Sequence, residues 1–231
     1  MTATIKQKAI VYPLCWFEDE ETKLPLQWQQ FVGVLWDGFS PQSTRNALLP
    51  WKIRVHFTNY PSSQLLDLDV ASSGVLTTVE RTFKNSLKQA LVLQHGHNKV
   101  ALNMNKQTHQ RIWDSIVTSK YSVYKPIQED IQADPSSNLS LIPVRLLVGP
   151  SKPLIQKRCE EVTLTLGLLL QSWLPQHFVV KEEEGNKTVV PKAETTTWRV
   201  AGVNPSLTAP LLHLWQSLCH PDNFLYISVT L

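Results

Sequence analysis

The chain has 231 residues, which is enough for one large domain or two to three small ones. Its 22 Lys+Arg against 19 Asp+Glu leave a formal net charge of +3, too little for a dedicated nucleic-acid binder. The longest apolar stretch, residues 164–174, is too short to span a bilayer. The three scattered cysteines indicate a reduced intracellular chain rather than a disulfide framework. Composition therefore predicts a soluble, cytosolic protein of mixed α and β structure.

The first block of the chain, up to about residue 70, is typical of short strands with one helical piece. Residues 10–17 are rich in β-formers, and residues 24–28 are expected to pair back across the acidic turn that follows. Apolar spacing predicts a helix over residues 31–39. Residues 51–57 alternate between apolar and polar side chains, which predicts a half-buried strand. Its apolar face consists of Trp51, Ile53, Val55 and Phe57.

The second block has helical periodicity. Thr77 with Glu80 three residues later forms a capping-box pattern at the start of a helix. One apolar face of that helix contains Val79, Phe83, Leu87, Ala90 and Leu91. Three basic residues, Arg81, Lys84 and Lys88, recur on the flank away from this face. A second helix is predicted over residues 106–117.

The polar, unpatterned residues 126–138 predict a linker to a third block. There the pattern predicts two strands and then a helix capped by Thr163, followed by a charged turn over residues 181–187 that leads into irregular chain. A strand, a short helix and a closing strand complete the block. The predicted bounds are 141–148, 154–162, 164–174, 198–203, 210–218 and 224–231. This order is that of the β-grasp fold of ubiquitin-like domains.

Residues that invite a catalytic or metal-binding interpretation have the wrong spacing for it. His95 and His97 would point apart on a helix, and no cysteine lies at ligand spacing from them. Cys219 beside His220 places a thiol next to a base, but catalysis needs a fold that brings the two into contact and a third orienting group. No common catalytic or phosphate-binding motif occurs. An enzyme with its own active site, a cofactor and a metal are therefore not expected.

The basic stripe of Arg81, Lys84 and Lys88 is, on spacing alone, typical of a solvated helix face. RNA binding is disfavoured because the stripe lacks interleaved exposed aromatic residues.

Several short segments together resemble one known family. Residues 49–57 resemble the Leu-Pro-Trp strand of the autophagy protein 5 family, and residues 83–90 resemble its acceptor-lysine helix. Further similarities, in family order, cover residues 16–17, 25–28, 142–145, 153–157 and 221–229. The resemblance implies an α+β fold in which two ubiquitin-like β-grasp domains flank a helix-rich domain. The expected bounds are 1–70 for the first domain, 71–125 for the helices, 126–138 for the linker and 139–231 for the second ubiquitin-like domain.

The resemblance also implies a role for Lys88. In the family, a lysine at the matching position is joined covalently to the ubiquitin-like autophagy protein 12, and the same protein binds the N-terminal helix of autophagy protein 16. The assembly is a non-catalytic, E3-like factor that promotes transfer of autophagy protein 8 to phosphatidylethanolamine, through the lipidation-conjugating enzyme. The implied location is the cytoplasm and, peripherally, the membrane of the preautophagosomal structure.

Two alternatives remain open at this stage. Lys88 is either the acceptor or an ordinary solubilising residue, and the whole chain is either a conjugated scaffold or a plain interaction module that holds a partner helix without covalent chemistry. A groove at a domain junction is the expected place for that helix, although its lining cannot be named from the sequence.

The family begins with a strand pair and a helix, for which residues 1–13 show no evident counterpart. The first ubiquitin-like domain is therefore predicted to be incomplete and marginally stable, whereas residues 139–231 are predicted to fold independently.

Overall fold

The computed structural model describes residues 15–39, 50–68, 74–132, 141–161, 163–183 and 186–231. The N-terminal part of the first predicted strand, residues 10–14, lies outside these ranges.

The first region contains β1 (Trp16–Asp19), α1 (Val32–Phe39) and β2 (Ile53–His56). The helix lies where the periodicity predicts it. The strands pair with each other as an antiparallel two-stranded sheet. The predicted pairing of residues 24–28 across the turn is present but short. It consists of the bridge Glu18 to Pro25, with hydrogen bonds from the Asp19 N–H to Leu24 O and from the Leu26 N–H to Phe17 O, on the edge of β1 opposite β2.

Strand β2, which the alternating pattern predicts to be half-buried, exposes most of its apolar face. Relative exposure is 40% for Ile53, 45% for Val55 and 62% for Phe57. The helix of this region does not cover them, since α1 instead packs against the second ubiquitin-like domain. Its Val34 belongs to a buried cluster with Phe224 and other residues of that domain. The burial predicted for Ile53, Val55 and Phe57 is therefore wrong, whereas Trp51 of the same predicted face is half-buried, with its ring against Trp36 and Phe39 of α1.

Four helices follow, and side chains from all four form one compact apolar cluster. Their bounds are α2 (Val75–His95), α3 (Lys99–Asn103), α4 (Lys106–Val117) and α5 (Tyr121–Gln132). The predicted bounds of α4 agree with the structure, and Asn105 caps it by accepting a hydrogen bond from the Thr108 N–H at 2.7 Å.

The predicted capping box at Thr77 is wrong. Helix α2 begins at Val75 after Gly74, which has φ 77°, and no side chain caps it. Thr77 therefore lies inside the first turn, and Glu80 forms an ion pair with Lys84 one turn later.

The predicted linker is helical up to Gln132, and only its remainder lies outside the described residues. Pro126 is exposed and lies inside α5. A proline at this position usually ends or kinks a helix, but α5 continues past it. Tyr124, Ile127 and Ile131 recur at helical spacing and pack into the helical cluster. That apolar contact compensates for the hydrogen bond that proline cannot donate.

The third region folds around a four-stranded sheet with the order β4-β3-β8-β7. Its elements are β3 (Ile142–Val148), β4 (Ile155–Cys159), α6 (Leu166–Trp173), β5 (Phe178–Glu183), β6 (Asn186–Pro191), β7 (Thr197–Val200), α7 (Leu211–Leu218) and β8 (Leu225–Thr230). The first and last strands, β3 and β8, are parallel neighbours at the centre, and the outer pairs are antiparallel. A hairpin, then a helix, then a return to the centre of the sheet is the β-grasp arrangement.

Two local predictions in this region need correction. The cap of α6 is Thr165 rather than Thr163, since its hydroxyl accepts a hydrogen bond from the Leu168 N–H at 3.4 Å. The charged segment at residues 181–187 does not lead into irregular chain, because β5 and β6 form a hairpin around it. Cross-strand backbone pairing there overrides the low strand propensity of the charged residues.

Both faces of the central sheet are buried. Ile142, Val144 and Leu146 of β3 point into the main core with α6 and α7. On the opposite face, Phe224 and Tyr226 pack against α1 and α2. The sheet is therefore the layer on which the other two regions are assembled, and side chains on its second face control how α2 is held.

Candidate functional site

Lys88 lies in the middle of α2, on its solvent side. The preceding Leu87 and the following Ala90 and Leu91 are buried, whereas Lys88 is exposed. The periodicity therefore predicts its placement correctly. An amine in this position is accessible to a macromolecular electrophile, and its role as acceptor stays a prediction.

The neighbourhood of Lys88 is basic. Lys84, one turn earlier, is paired with Glu80, whereas no carboxylate of a described residue lies within ion-pair distance of Lys88. On the adjacent helix α4, burial lowers the pKa of His109, and the charges of Lys88 and Lys84 lower it further. The imidazole facing the two lysines is thus uncharged at neutral pH, and it adds no positive charge to the site.

Behind Lys88, α2 contacts a polar cluster built around a buried arginine, in which Ser86 is half-buried and Gln89 exposed. Its centre is Arg145 of β3, which is 8% exposed and forms an ion pair with Asp222 at 3.1 Å. The same guanidinium donates to Ser86 Oγ at 2.7 Å and to Gln89 Oε1 at 3.2 Å, both on α2. It also donates to Tyr226 Oη at 2.6 Å, and burial raises the pKa of that phenol. We call Arg145, Asp222, Tyr226, Ser86 and Gln89 the arginine cluster.

One sequence signal could have indicated this cluster. Arg145 is the only charged residue in β3, whose other residues are apolar. A charged side chain is almost never buried unless it is paired. A strand with both faces buried that contains one arginine therefore predicts a buried partner, although the sequence does not show which carboxylate it is.

Cys219 and His220 do not form a nucleophilic centre. Cys219 Sγ accepts hydrogen bonds from the amides of Gln128 at 2.7 Å and Gln132 at 3.1 Å. Burial raises the pKa of this thiol to about 11, so it stays protonated at neutral pH. Its neighbour His220 lies between aromatic rings, with centroids 4.6 Å from Phe31 and 4.9 Å from Tyr226.

The packing of His220 predicts a pH-dependent stability. Burial lowers its pKa, against the opposing charges of Asp222 and Asp37. In the unfolded chain the imidazole titrates near its ordinary value of about 6.5, so below that pH the unfolded state binds a proton that the folded state resists. Stability is therefore fully present above the unfolded pKa and falls as the pH is lowered through it.

We expect the urea midpoint to fall between pH 7.5 and pH 5.5, and the substitution His220→Phe to reduce that dependence. The substitution His213→Phe, at an exposed histidine of α7, is the matched control and should leave the slope unchanged. Part of the slope should survive in His220→Phe, since burial also lowers the pKa of His109 and His177. An identical slope in His220→Phe and the parent would contradict this assignment.

A small cavity of about 70 Å³ lies at the junction of the two ubiquitin-like regions. One wall comes from the first region and includes Leu35, Gly38 and Phe39, and the other comes from the second and includes Leu147 and Leu154. The volume suits one apolar side chain rather than a whole ligand. The cavity lies at a domain junction, where sequence analysis expects the partner helix, and the binding of a helix there stays a prediction.

In the part of the chain that the structure describes, no group of three or more His, Cys, Asp or Glu side chains is placed to hold a metal ion. A search of the same residues for bilayer-crossing helices found no helix of sufficient length and apolarity.

The β-grasp sheet, with a helical bundle packed on its second face, defines an α+β protein of the ubiquitin-like class. Three family models match consecutive parts of the chain. They are the autophagy protein ATG5 UblA domain over residues 2–57, its alpha-helical bundle region over residues 76–133 and its UblB domain over residues 141–229. The first match includes the leader in which sequence analysis found no resemblance.

Whole-chain comparisons give the same result. The chain is 26% identical over 227 residues to autophagy protein 5 of Scheffersomyces stipitis, covering 93% of this chain and 75% of that protein. It is 23% identical over 257 residues to autophagy protein 5 of Neosartorya fischeri, covering 93% and 74%. The fold matches the crystal structure of Kluyveromyces marxianus Atg5 with a TM-score of 0.70 at 20% identity, over 94% of this chain and 73% of that one.

The chain therefore belongs to the autophagy protein 5 family, with UblA, helical bundle and UblB domains. The helical region of the family covers residues that sequence analysis divided between a helix-rich domain and a linker, in agreement with the helix observed up to Gln132. Membership implies a role in autophagy, in a family whose members are generally non-catalytic.

Proposed function

We propose that this protein is the covalent acceptor of the ubiquitin-like autophagy protein 12, joined through Lys88. The observation that carries the proposal is the placement of Lys88: an exposed amine on a rigid, 21-residue helix, with no described carboxylate paired to it. A helix holds an acceptor at a defined angle, which a mobile loop does not.

The chemistry requires little from the acceptor protein. The neutral ε-amine of Lys88 attacks the thioester carbonyl of the modifier, the C–S bond breaks, and an isopeptide bond forms. The thiol of the conjugating enzyme leaves, and the amine loses its proton to solvent. Since the upstream enzymes supply the activated carbonyl, the acceptor contributes access and orientation, and the protein acts as a non-catalytic subunit.

The conjugate with autophagy protein 16 then acts as an E3-like complex that promotes lipidation of autophagy protein 8, through the lipidation-conjugating enzyme. On this proposal the protein acts in the cytoplasm and, peripherally, at the membrane of the preautophagosomal structure. The second candidate is a non-covalent module that binds a partner helix. It is favoured by the junction cavity, which does not depend on Lys88.

The test is reconstitution with the modifier and its activating and conjugating enzymes, with the product digested and analysed by mass spectrometry. The proposal predicts an ATP-dependent mass increase of one modifier and a branched peptide at Lys88. A branch at another lysine, or no adduct with an active enzyme mixture, would contradict it and leave the non-covalent module.

We further propose that the helix of autophagy protein 16 docks at the junction of the two ubiquitin-like domains, with one apolar anchor in the 70 Å³ cavity. The substitution Leu154→Glu places a charge on the wall of that cavity, where the anchor would strip its water. We expect at least a tenfold loss of affinity, which corresponds to about 1.4 kcal/mol.

Calorimetry with a helical peptide from autophagy protein 16 measures this effect. The matched control is Leu168→Glu, at a leucine of α6 that is 40% exposed and does not line the cavity. Equal affinity of the Leu154→Glu variant and the parent would place the helix elsewhere. Because the assay needs no conjugation, its outcome is independent of Lys88.

A further inference from the structure

The arginine cluster connects α2 to the second ubiquitin-like domain directly behind Lys88. Ser86 precedes Lys88 by two residues and Gln89 follows it directly, so they lie at about 160° and 100° around the helix axis from Lys88. Both accept hydrogen bonds from the guanidinium of Arg145. The contact therefore lies on the side of α2 away from the acceptor amine.

The guanidinium itself is held from several directions. Asp222 neutralises it at 3.1 Å, Gln156 Oε1 accepts from its Nε at 2.9 Å, and its carbon lies 3.8 Å from the centroid of the Phe224 ring. Asp222 also accepts hydrogen bonds from Ser86 Oγ at 2.6 Å and from Tyr226 Oη at 2.8 Å. The planar guanidinium is bonded along its edge and packed on its face, so it is held in one orientation. Its hydrogen bonds to Ser86 and Gln89 therefore have a fixed direction.

Apolar contacts alone do not fix a helix in this way. Leu87, Ala90 and Leu91 are buried, but apolar packing is non-directional and tolerates small rotations of the helix about its axis. Hydrogen bonds to Ser86 and Gln89 depend on angle and lie next to Lys88, so they restrain the rotation of the helix there, in addition to the Asn223–Gln94 bond further along. We infer that Arg145 is a positioning residue for conjugation: through Ser86 and Gln89 it sets the direction in which Lys88 projects from the protein.

This inference rests on the proposed function of Lys88, and one pair of variants separates positioning from folding. The double substitution Ser86→Ala with Gln89→Ala removes the bonds to α2 but leaves the ion pair of Arg145 with Asp222 inside the second domain. Helix α2 remains docked through Asn223, whose amide donates to Gln94 Oε1 at 2.7 Å two turns later. We therefore expect a folded protein with a less restrained Lys88.

Arg145→Met removes the centre of the cluster, and Arg158→Met is its matched control. Arg158 lies on the adjacent strand β4 and pairs at 2.9 Å with Glu160 at the surface. Its loss should change neither the rate of modifier transfer nor the spin-label distances, the two readouts that follow.

The first readout is single-turnover transfer of the modifier, measured against the concentration of the charged conjugating enzyme. Misorientation of a reacting group lowers the maximal rate on the order of tenfold to a hundredfold without weakening encounter. We expect this fall in the double variant and in Arg145→Met, with little change in the half-saturating concentration. An unchanged maximal rate in the double variant would overturn the inference, even if thermal stability falls.

The second readout does not depend on conjugation. Spin labels are attached at Lys88→Cys and Lys157→Cys in a Cys15→Ser background, and their distance distribution is measured by double electron–electron resonance. We expect one narrow distribution in the parent and in Arg158→Met, and a broader or shifted one in the double variant. An unchanged distribution in the double variant would overturn the positioning role, whether or not the parent forms an adduct. Absence of an adduct in the parent would instead contradict the proposed function.

Discussion

Backbone amides of Ile227 and Val229 are expected to exchange with deuterium about a thousandfold more slowly than those of Ile53 and Val55. The first pair lies in β8, the strand between β3 and β7, where both side chains are fully buried. Their exchange therefore requires global unfolding of a domain with a stability of about 5 kcal/mol or more. The second pair lies in a two-stranded sheet with exposed side chains.

Backbone geometry gives a specific reason for the low protection of β2. The Asp19 N–H donates to Leu24 O, and Phe17 O accepts from the Leu26 N–H, so these residues of β1 turn their backbone groups away from β2. In an antiparallel pair the direction alternates along each strand. Ile53 and Val55, opposite Asp19 and Phe17, therefore direct their amides away from β1, and no described strand pairs with that edge.

Native-state exchange on the complete chain, read by nuclear magnetic resonance, measures the difference. The sheet of the first region is expected to open locally while α1, which packs on β8, remains protected. Protection of Ile53 and Val55 equal to that of Ile227 and Val229 would mean that the first domain is as stable as the second, contrary to this prediction.

Local patterns predicted the elements whose periodicity is undisturbed. Helices α4 and α7 and strands β3 and β8 lie close to their expected bounds, because each has an apolar face repeating at one period. The helix α5 was missed because Pro126 outweighed the spacing of Tyr124, Ile127 and Ile131. The helix forms because these three side chains pack against the other helices, a contact that the pattern of a single segment does not show.

Of the candidate site, only the exposure of Lys88 could be predicted from the sequence, and not the contacts on the inner side of α2. The exposure of Lys88 follows from the positions of Leu87 and Leu91 on the same helix. The contact behind it joins Ser86 to Arg145, 59 residues away, and Arg145 to Asp222, 77 residues further. Pairings at such separations depend on the three-dimensional arrangement of the domains, so the sequence indicates a buried arginine without indicating its partners.

The second large effect is expected from Lys88→Arg. Arginine keeps the positive charge and the helix propensity, but its guanidinium stays protonated and offers no free amine to the thioester. The fold should be unaffected, since Lys88 is exposed and pairs with no described carboxylate. Formation of the adduct should therefore fall to the background given by other lysines.

The matched control is Lys84→Arg. Lys84 lies one turn earlier on the same helix, is partly buried and is paired with Glu80, and an arginine can keep that ion pair. The decisive measurement is the initial rate of adduct formation by the parent, Lys88→Arg and Lys84→Arg in one reconstituted mixture, with thermal unfolding of each as a check of the fold. We predict a normal rate for Lys84→Arg and no adduct above background for Lys88→Arg. A normal rate for Lys88→Arg would show that Lys88 is not the acceptor.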